Sequence, residues 1–307
     1  MPAILTHHLF GKAVLSKLGA GAFPTRDERD AFLLGNQGPD PFFYAVFTPQ
    51  MIAVKKFGSA LHSEKVNESI DALRALVRAL PEPQQKVADS YLCGYLCHFT
   101  LDSIEHPLVF SQQYAITGAG VEGLDADDGP FVHGQIESDL DTMMLYQLTG
   151  RTIREFVVPR QVLFASDEVL RLANSLYTQV ALGVYGLELP GDAFSRSVRD
   201  MRASVRVLYS PSGKKRVVLG YLERVFRRHS LMQAMSHREQ AGEDCAFNNS
   251  AHATWTHPFT GDQHDTSFTD GFNNAIPVAL ENLRLHKEAA ATPLITAGLD
   301  FDGRPTR

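Results

Sequence analysis

The chain has 307 residues, 44% of them hydrophobic and 21% charged, with a formal net charge of −6. Such a length admits one large domain or two ordinary ones, and the composition is that of a soluble globular protein. The acidic balance gives no general pull towards nucleic acid, and three cysteines in so long a chain exclude a disulfide framework.

Thr6 is a candidate cap for a first helix whose apolar face would carry Leu9, Phe10, Ala13, Val14 and Leu18, with Gly19 to Gly21 ending it. His7, His8 and Lys12 interrupt this opening stretch, so it lacks a secretory apolar core. No later stretch is long and apolar enough to span a membrane, and a cytoplasmic protein is expected. Thr25, followed three residues on by Glu28, resembles a capping box before a short helix to about Asn36. GNQGPDP, from Gly35 to Pro41, is dense in turn residues. Helical periodicity then predicts helices near 49–62, 66–80, 84–105, 130–148, 167–185, 193–208, 214–237 and 268–287. Alternating strand patterns with hairpin turns are lacking, so the expected fold class is all-α.

Residues 1–290 are expected to form one helical domain, with a metal-bearing part over 1–150 and a C-terminal helical part over 151–290, divided near Gly150 to Pro159. Residues 291–307, ending DFDGRPTR, are expected to be a flexible tail. Cys93 and Cys97 read as small apolar residues on a buried helix. The segment 214–229 is basic and amphipathic, and Val217, Val218, Tyr221, Leu222, Val225 and Phe226 are expected to face inward; a lipid-facing patch is the minority reading. His229, His237 and His286 sit among charges and read as solvated. His252, His257 and His264 are too irregularly spaced for a second metal site, and read as a loop packed by Trp255 and Phe259.

The helix over 84–105 carries the strongest chemical signal. His98, Asp102 and His106 repeat at i, i+4 and i+8 on a stripe shared with Val87, Tyr91 and Tyr95, while HGQIESDLD supplies His133 and Glu137, again four apart. Side chains four apart on a helix are neighbours and can reach one ion. A carboxylate among apolar residues is costly without a partner, and a divalent cation suits one flanked by imidazoles. His7 or His8, Asp40 in the turn-rich loop, and His62 extend the candidate ligands to eight. A set drawn only from His, Asp and Glu fits zinc with positions left open for water, and eight ligands exceed one tetrahedral ion, so two or three are implied. Taken singly, each pair has a bland reading. His133 with Glu137 could be an exposed helical pair, Asp40 a turn residue between prolines, and His62 a complement to a helix end. The combination on buried stripes favours metal.

These motifs resemble the zinc-dependent phospholipases C, relatives of the single-strand-specific zinc nucleases. The likeness runs from Thr6 to about Asp141 through THHLFGKAVL, GNQGPDPFFY, ALHSEK, GYLCHFTLDSIEHP and HGQIESDLD, with a weaker echo in CAFNNSAHATWTHPFTGDQHDTSFTDGFNNA. The resemblance implies an all-helical fold around three zinc ions. One would be held by Asp40, His62, His98 and Asp102, a second by His106, His133 and Glu137, and a third by His7, chosen over His8, with Asp102 bridging. It also implies that Asp40 orients or deprotonates the attacking water. Secreted relatives use the amine and carbonyl of a mature N-terminal tryptophan at the third ion; the single tryptophan here is Trp255, and the amine of Pro2 is the candidate substitute. The expected function is hydrolysis of a phospholipid or related small phosphodiester, with peripheral membrane contact as an accompanying expectation; oligomeric state is left open. A nuclease or nucleotide phosphatase would use the same metals with Phe42, Phe43 and Tyr44 available for stacking. A non-catalytic relative would keep the metal for stability alone.

Overall fold

The computed structural model describes residues 4–48, 50–238 and 242–306. The fold is all-α. In chain order the helices are α1 (Ile4–Leu18), α2 (Arg26–Gly35), α3 (Met51–Ser63), α4 (Val66–Arg78), α5 (Glu82–Thr117), α6 (Gly129–Thr149), α7 (Val158–Gln161), α8 (Asp167–Tyr185), α9 (Ala193–Leu208), α10 (Lys214–Glu223), α11 (Leu231–Ala234), α12 (Phe268–Lys287) and α13 (Thr292–Thr296). Two antiparallel strands, β1 (Trp255–Thr256) and β2 (Gln263–His264), form a hairpin that the sequence did not announce, because two residues are too few to show an alternation.

The chain divides into two compact units interleaved along the sequence. The first comprises residues up to Leu9, Ile104–Val162 and Val205–Asn273; the second comprises Phe10–Ser103, Leu163–Ser204 and the residues from Asn274 onwards. The division therefore does not fall at 150.

In the second unit, α2 and α5 cross at contact distance. A Cβ built on Gly35 would meet the Tyr91 carbonyl oxygen at 2.1 Å, and one on Gly94 would meet the Phe32 carbonyl oxygen at the same distance. Thr25 caps α2 by accepting from the Glu28 amide at 3.2 Å, as the capping pattern predicts. An aromatic cluster anchors the residues after Asp40: Phe42 packs edge-on against Phe57, Tyr177 and Phe194, with centroids 5.0–5.4 Å apart. Cys93 and Cys97 lie buried in α5, and burial pushes both thiols up.

The expected flexible tail is instead packed. Phe301 has no exposed surface; its ring lies against Tyr95 and Phe99, and its amide donates to the His62 carbonyl at 3.1 Å. Polar residues around it gave the sequence a tail-like composition, while one aromatic supplies the anchor.

In the first unit, α1 starts at Ile4, two residues before the expected cap. Asp141, wholly buried in α6, accepts from the amides of Leu5 and Thr6 and from the Thr6 hydroxyl at 2.6–3.0 Å. A carboxylate at a helix N-terminus meets both the unsatisfied amides and the positive end of the dipole. His237, expected to be solvated, sits 2.8 Å from Asp141; His229 reaches the Gly123 carbonyl at 2.7 Å, and in the second unit His286 reaches Asp89 at 2.8 Å. These histidines found partners distant in sequence, which helix-face counting does not detect. The C-terminal histidines, expected in a loop packed by Trp255 and Phe259, lie on and around the β1–β2 hairpin, with His264 in β2; Trp255 stacks on His264 and Phe259 packs on Phe110.

The segment 214–229 departs furthest from expectation. It forms α10 and then a turn, and Val217, Val218, Tyr221, Leu222, Val225 and Phe226 all point outward. Gly220 occupies the inward face, where a Cβ would meet the Gln233 side chain at 2.5 Å. The small residue, not the apolar stripe, lets α10 approach α11.

Candidate metal centre

In the second unit the loop after α2 lies against α5. Gly38 adopts φ +49°, and a Cβ there would fall 2.1 Å from Cδ2 of His98, so a side chain at this position would collide with the imidazole. The loop then turns into a short 3₁₀ segment, Asp40–Tyr44, with Asp40 at its start and Pro41 next. Asp40 reaches His62 of α3, with Oδ1 3.1 Å from Nε2, and His98 of α5, with Oδ1 3.9 Å from Nε2. One turn along α5, Asp102 Oδ2 lies 3.1 Å from the same His98 Nε2. Four of the predicted ligands thus converge here, and ligating atoms of His62, His98 and Asp102 lie within 4.8 Å of one another.

Each imidazole is oriented from behind. His62 Nδ1 is 2.7 Å from the Gly58 carbonyl and His98 Nδ1 is 3.2 Å from the Asn36 carbonyl. A carbonyl accepts only, so Nδ1 carries a proton and Nε2 is the ring atom that faces the carboxylates. That is the arrangement ligating histidines adopt. Burial pushes the Asp40 carboxyl up, yet the hydrogen bond with His62 and the fields of His98 and His62 prevail over it and over Asp102, so Asp40 stays below the usual carboxylate range.

The first unit holds a second set. His133 and Glu137 are one turn apart on α6, with Nε2 3.3 Å from Oε1, and His106 Nε2 lies 3.6 Å from the same oxygen. Ligating atoms of these three side chains also lie within 4.8 Å of one another. His133 Nδ1 is 2.9 Å from Gln113 Oε1, which turns its Nε2 towards Glu137.

Two imidazoles with buried carboxylates at these separations form a donor set suited to zinc. His7 is buried in α1; the neighbouring His8 ring lies 6.3 Å from Phe156. Pro2 lies outside the described residues.

Sequence reasoning offered Phe43 at the site but missed Phe301 and Phe110, which also wall the histidines. Phe301 sits 5.0 Å from the His62 ring and 5.7 Å from the His98 ring, and Phe43 lies 5.0 Å from His62. Phe110 lies 5.0 Å from His133 and 5.8 Å from His106. Phe110 follows His106 by four residues on α5, a signal open to view; Phe301 carried none.

The fold is that of a helical protein in which clusters of histidine and carboxylate could hold divalent cations. Residues 6–181, more than half of the chain, match the family model described as zinc dependent phospholipase C, and the chain belongs to that family. No curated protein and no solved structure matches it.

Proposed function

We propose that the protein is a zinc-dependent phosphodiesterase that cleaves phospholipid or a related phosphodiester on the phosphate side of the glycerol. The observation that carries this reading is the convergence of Asp40, His62, His98 and Asp102 within the region matched by the family. His106, His133 and Glu137 would hold a further ion, and His7 is the proposed ligand of a third. When bound, zinc would supply Lewis-acid charge that acidifies water and neutralises phosphate oxygens.

The chain's own contribution is orientation and proton handling. Asp40, ionised at neutral pH, is available to accept a proton from the attacking water. The carbonyls of Gly58 and Asn36 hold Nδ1 of His62 and of His98, so Nε2 of each ring is turned to the carboxylates before substrate arrives. Phe301 and Phe43 shield the His62 ring from water, which strengthens the electrostatics of a polar site. Phe42 and Tyr44 are buried, so of the three aromatic residues considered for base stacking only Phe43 is partly accessible. That weighs towards phospholipid over single-stranded nucleic acid.

The test is turnover of a soluble short-chain phosphatidylcholine against single-stranded DNA, each with and without chelator. Chelator-sensitive release of phosphocholine with the DNA intact is expected. Cleavage of DNA alone, or turnover that ignores chelation, would sink the reading.

A further inference from the structure

The outward face of α10 and its following turn is a surface feature that the metal clusters do not explain. Val217, Val218, Tyr221, Leu222, Val225 and Phe226 recur at helical spacing and are all exposed, Tyr221 at 76% and Phe226 at 88%. Soluble proteins scatter apolar residues singly; a contiguous stripe marks a docking surface. The same stretch, Lys214 to Arg228, carries six basic side chains and one acidic one in a chain whose net charge is −6. Several of the basic groups are also tethered by their neighbours: Lys215 donates to the Arg206 carbonyl, Arg216 to the Ser236 carbonyl, Arg224 to Gln233, and Arg228 pairs with Asp125 at 3.1 Å. Glu223 is turned away from the stripe, accepting from the Ser230 hydroxyl and the Met232 amide.

We infer that this face is an interfacial anchor whose occupant is an anionic lipid surface, with the six apolar side chains entering the acyl boundary and the flanking Lys and Arg meeting lipid phosphates. The inference rests on the phospholipase reading for its purpose but not for its evidence. Charge selects the occupant. A second copy docking through the same patch would bring two strongly basic segments together, which opposes a symmetric interface. Anionic headgroups complement that charge, and an aromatic and aliphatic stripe beside Lys and Arg is the pattern of helices that lie in a membrane interface. Among the described residues no helix is long and apolar enough to cross a bilayer, so attachment through this face would be peripheral.

Co-sedimentation of the full chain with phosphatidylcholine vesicles, with and without phosphatidylserine, tests this. Binding is expected on the anionic vesicles and is expected to weaken with salt. The double variant Val225→Asp/Phe226→Asp, and separately Lys214→Glu/Lys215→Glu, should each lose roughly tenfold in vesicle affinity. Both should retain wild-type melting, because the side chains are exposed, and wild-type turnover of a soluble short-chain phosphodiester. Equal binding to neutral and anionic vesicles, or variants that bind like wild type, would overturn the inference. So would a concentration-dependent dimer dissolved by the Val225/Phe226 variant while vesicle binding stays intact. Vesicle binding without any phosphodiester turnover would leave the anchor standing and remove the catalytic reading; the reverse result would do the opposite.

Discussion

Gly38 shows how the placement of a histidine can depend on a residue that has no side chain. Its φ of +49° favours glycine, and a methyl group there would press into the His98 ring. Gly38→Ala should therefore cost about 1 kcal/mol in backbone strain alone, before the collision is counted. The variant should return fewer zinc ions per chain by elemental analysis and melt lower; unchanged zinc content would mean that the loop can move aside. Asp40→Asn tests the neighbouring carboxylate. It keeps an oxygen but removes the proton acceptor, so turnover should fall by roughly a hundredfold or more while the helical circular dichroism persists. Turnover near wild type would assign the base elsewhere. At this scale the clustering of Asp40, His62, His98 and Asp102, and of His106, His133 and Glu137, was legible because five of these follow helical spacing and Asp40 and His62 lie in distinctive neighbourhoods. Phe301 was not readable: its contacts with His62 and His98 span more than half the chain, and no local pattern encodes them.

Elements were legible wherever their ends carry local chemistry. The spans of α8, α9 and α12 agree with their hydrophobic periodicity, and Ser166 caps α8 by accepting from the Val169 amide. α5 runs to Thr117, twelve residues past the expected end, because Pro107 sits inside it without ending it. Proline usually breaks a helix at the preceding turn, but here Leu108 and Val109 are buried and their packing outweighs that tendency. The expected helix over 214–237 divides because Ser230 caps a new turn, accepting from the Gln233 amide while donating to Glu223. Burial was misassigned on α10 because an amphipathic stripe shows which residues share a face, not whether that face meets protein. The crossing of α2 and α5 gives the sharpest test at this scale. Gly94→Ala would force the Phe32 carbonyl away from α5, so a loss of about 2–3 kcal/mol is expected in denaturant unfolding. A loss below ~0.5 kcal/mol would show that the helices separate without penalty. Asp141→Ala makes a parallel case in the first unit, stranding two amides of α1 and taking from His237 its carboxylate partner; about 3 kcal/mol is expected.

Across the whole molecule, the division of the chain was the least legible property. The sequence suggests a break near Gly150, which does end α6 in a left-handed turn, but compactness follows contacts between distant segments and gives two interleaved units. A helix end and a unit boundary are different things, and local turn chemistry reports only the first. Each unit contains a histidine–carboxylate cluster with a carboxylate almost fully buried, Asp102 in one and Glu137 in the other. Burying such groups costs free energy unless a cation or hydrogen bonds offset it. Both units should therefore depend on metal for stability, with no separate metal-free half. Ligand bound at about a thousandfold over its dissociation constant contributes ~4 kcal/mol, which for a chain of this size shifts the melting temperature by roughly 6 °C. Chelation should lower the melting temperature by that order as a single broad event, and added zinc should restore it. Glu137→Gln should remove part of the zinc-dependent shift while leaving the rest, since the Asp40 set lies in the other unit. If chelation leaves the melting curve unmoved while elemental analysis finds no zinc, the buried carboxylates are balanced by their histidines alone, and the metal-dependent chemistry fails with them.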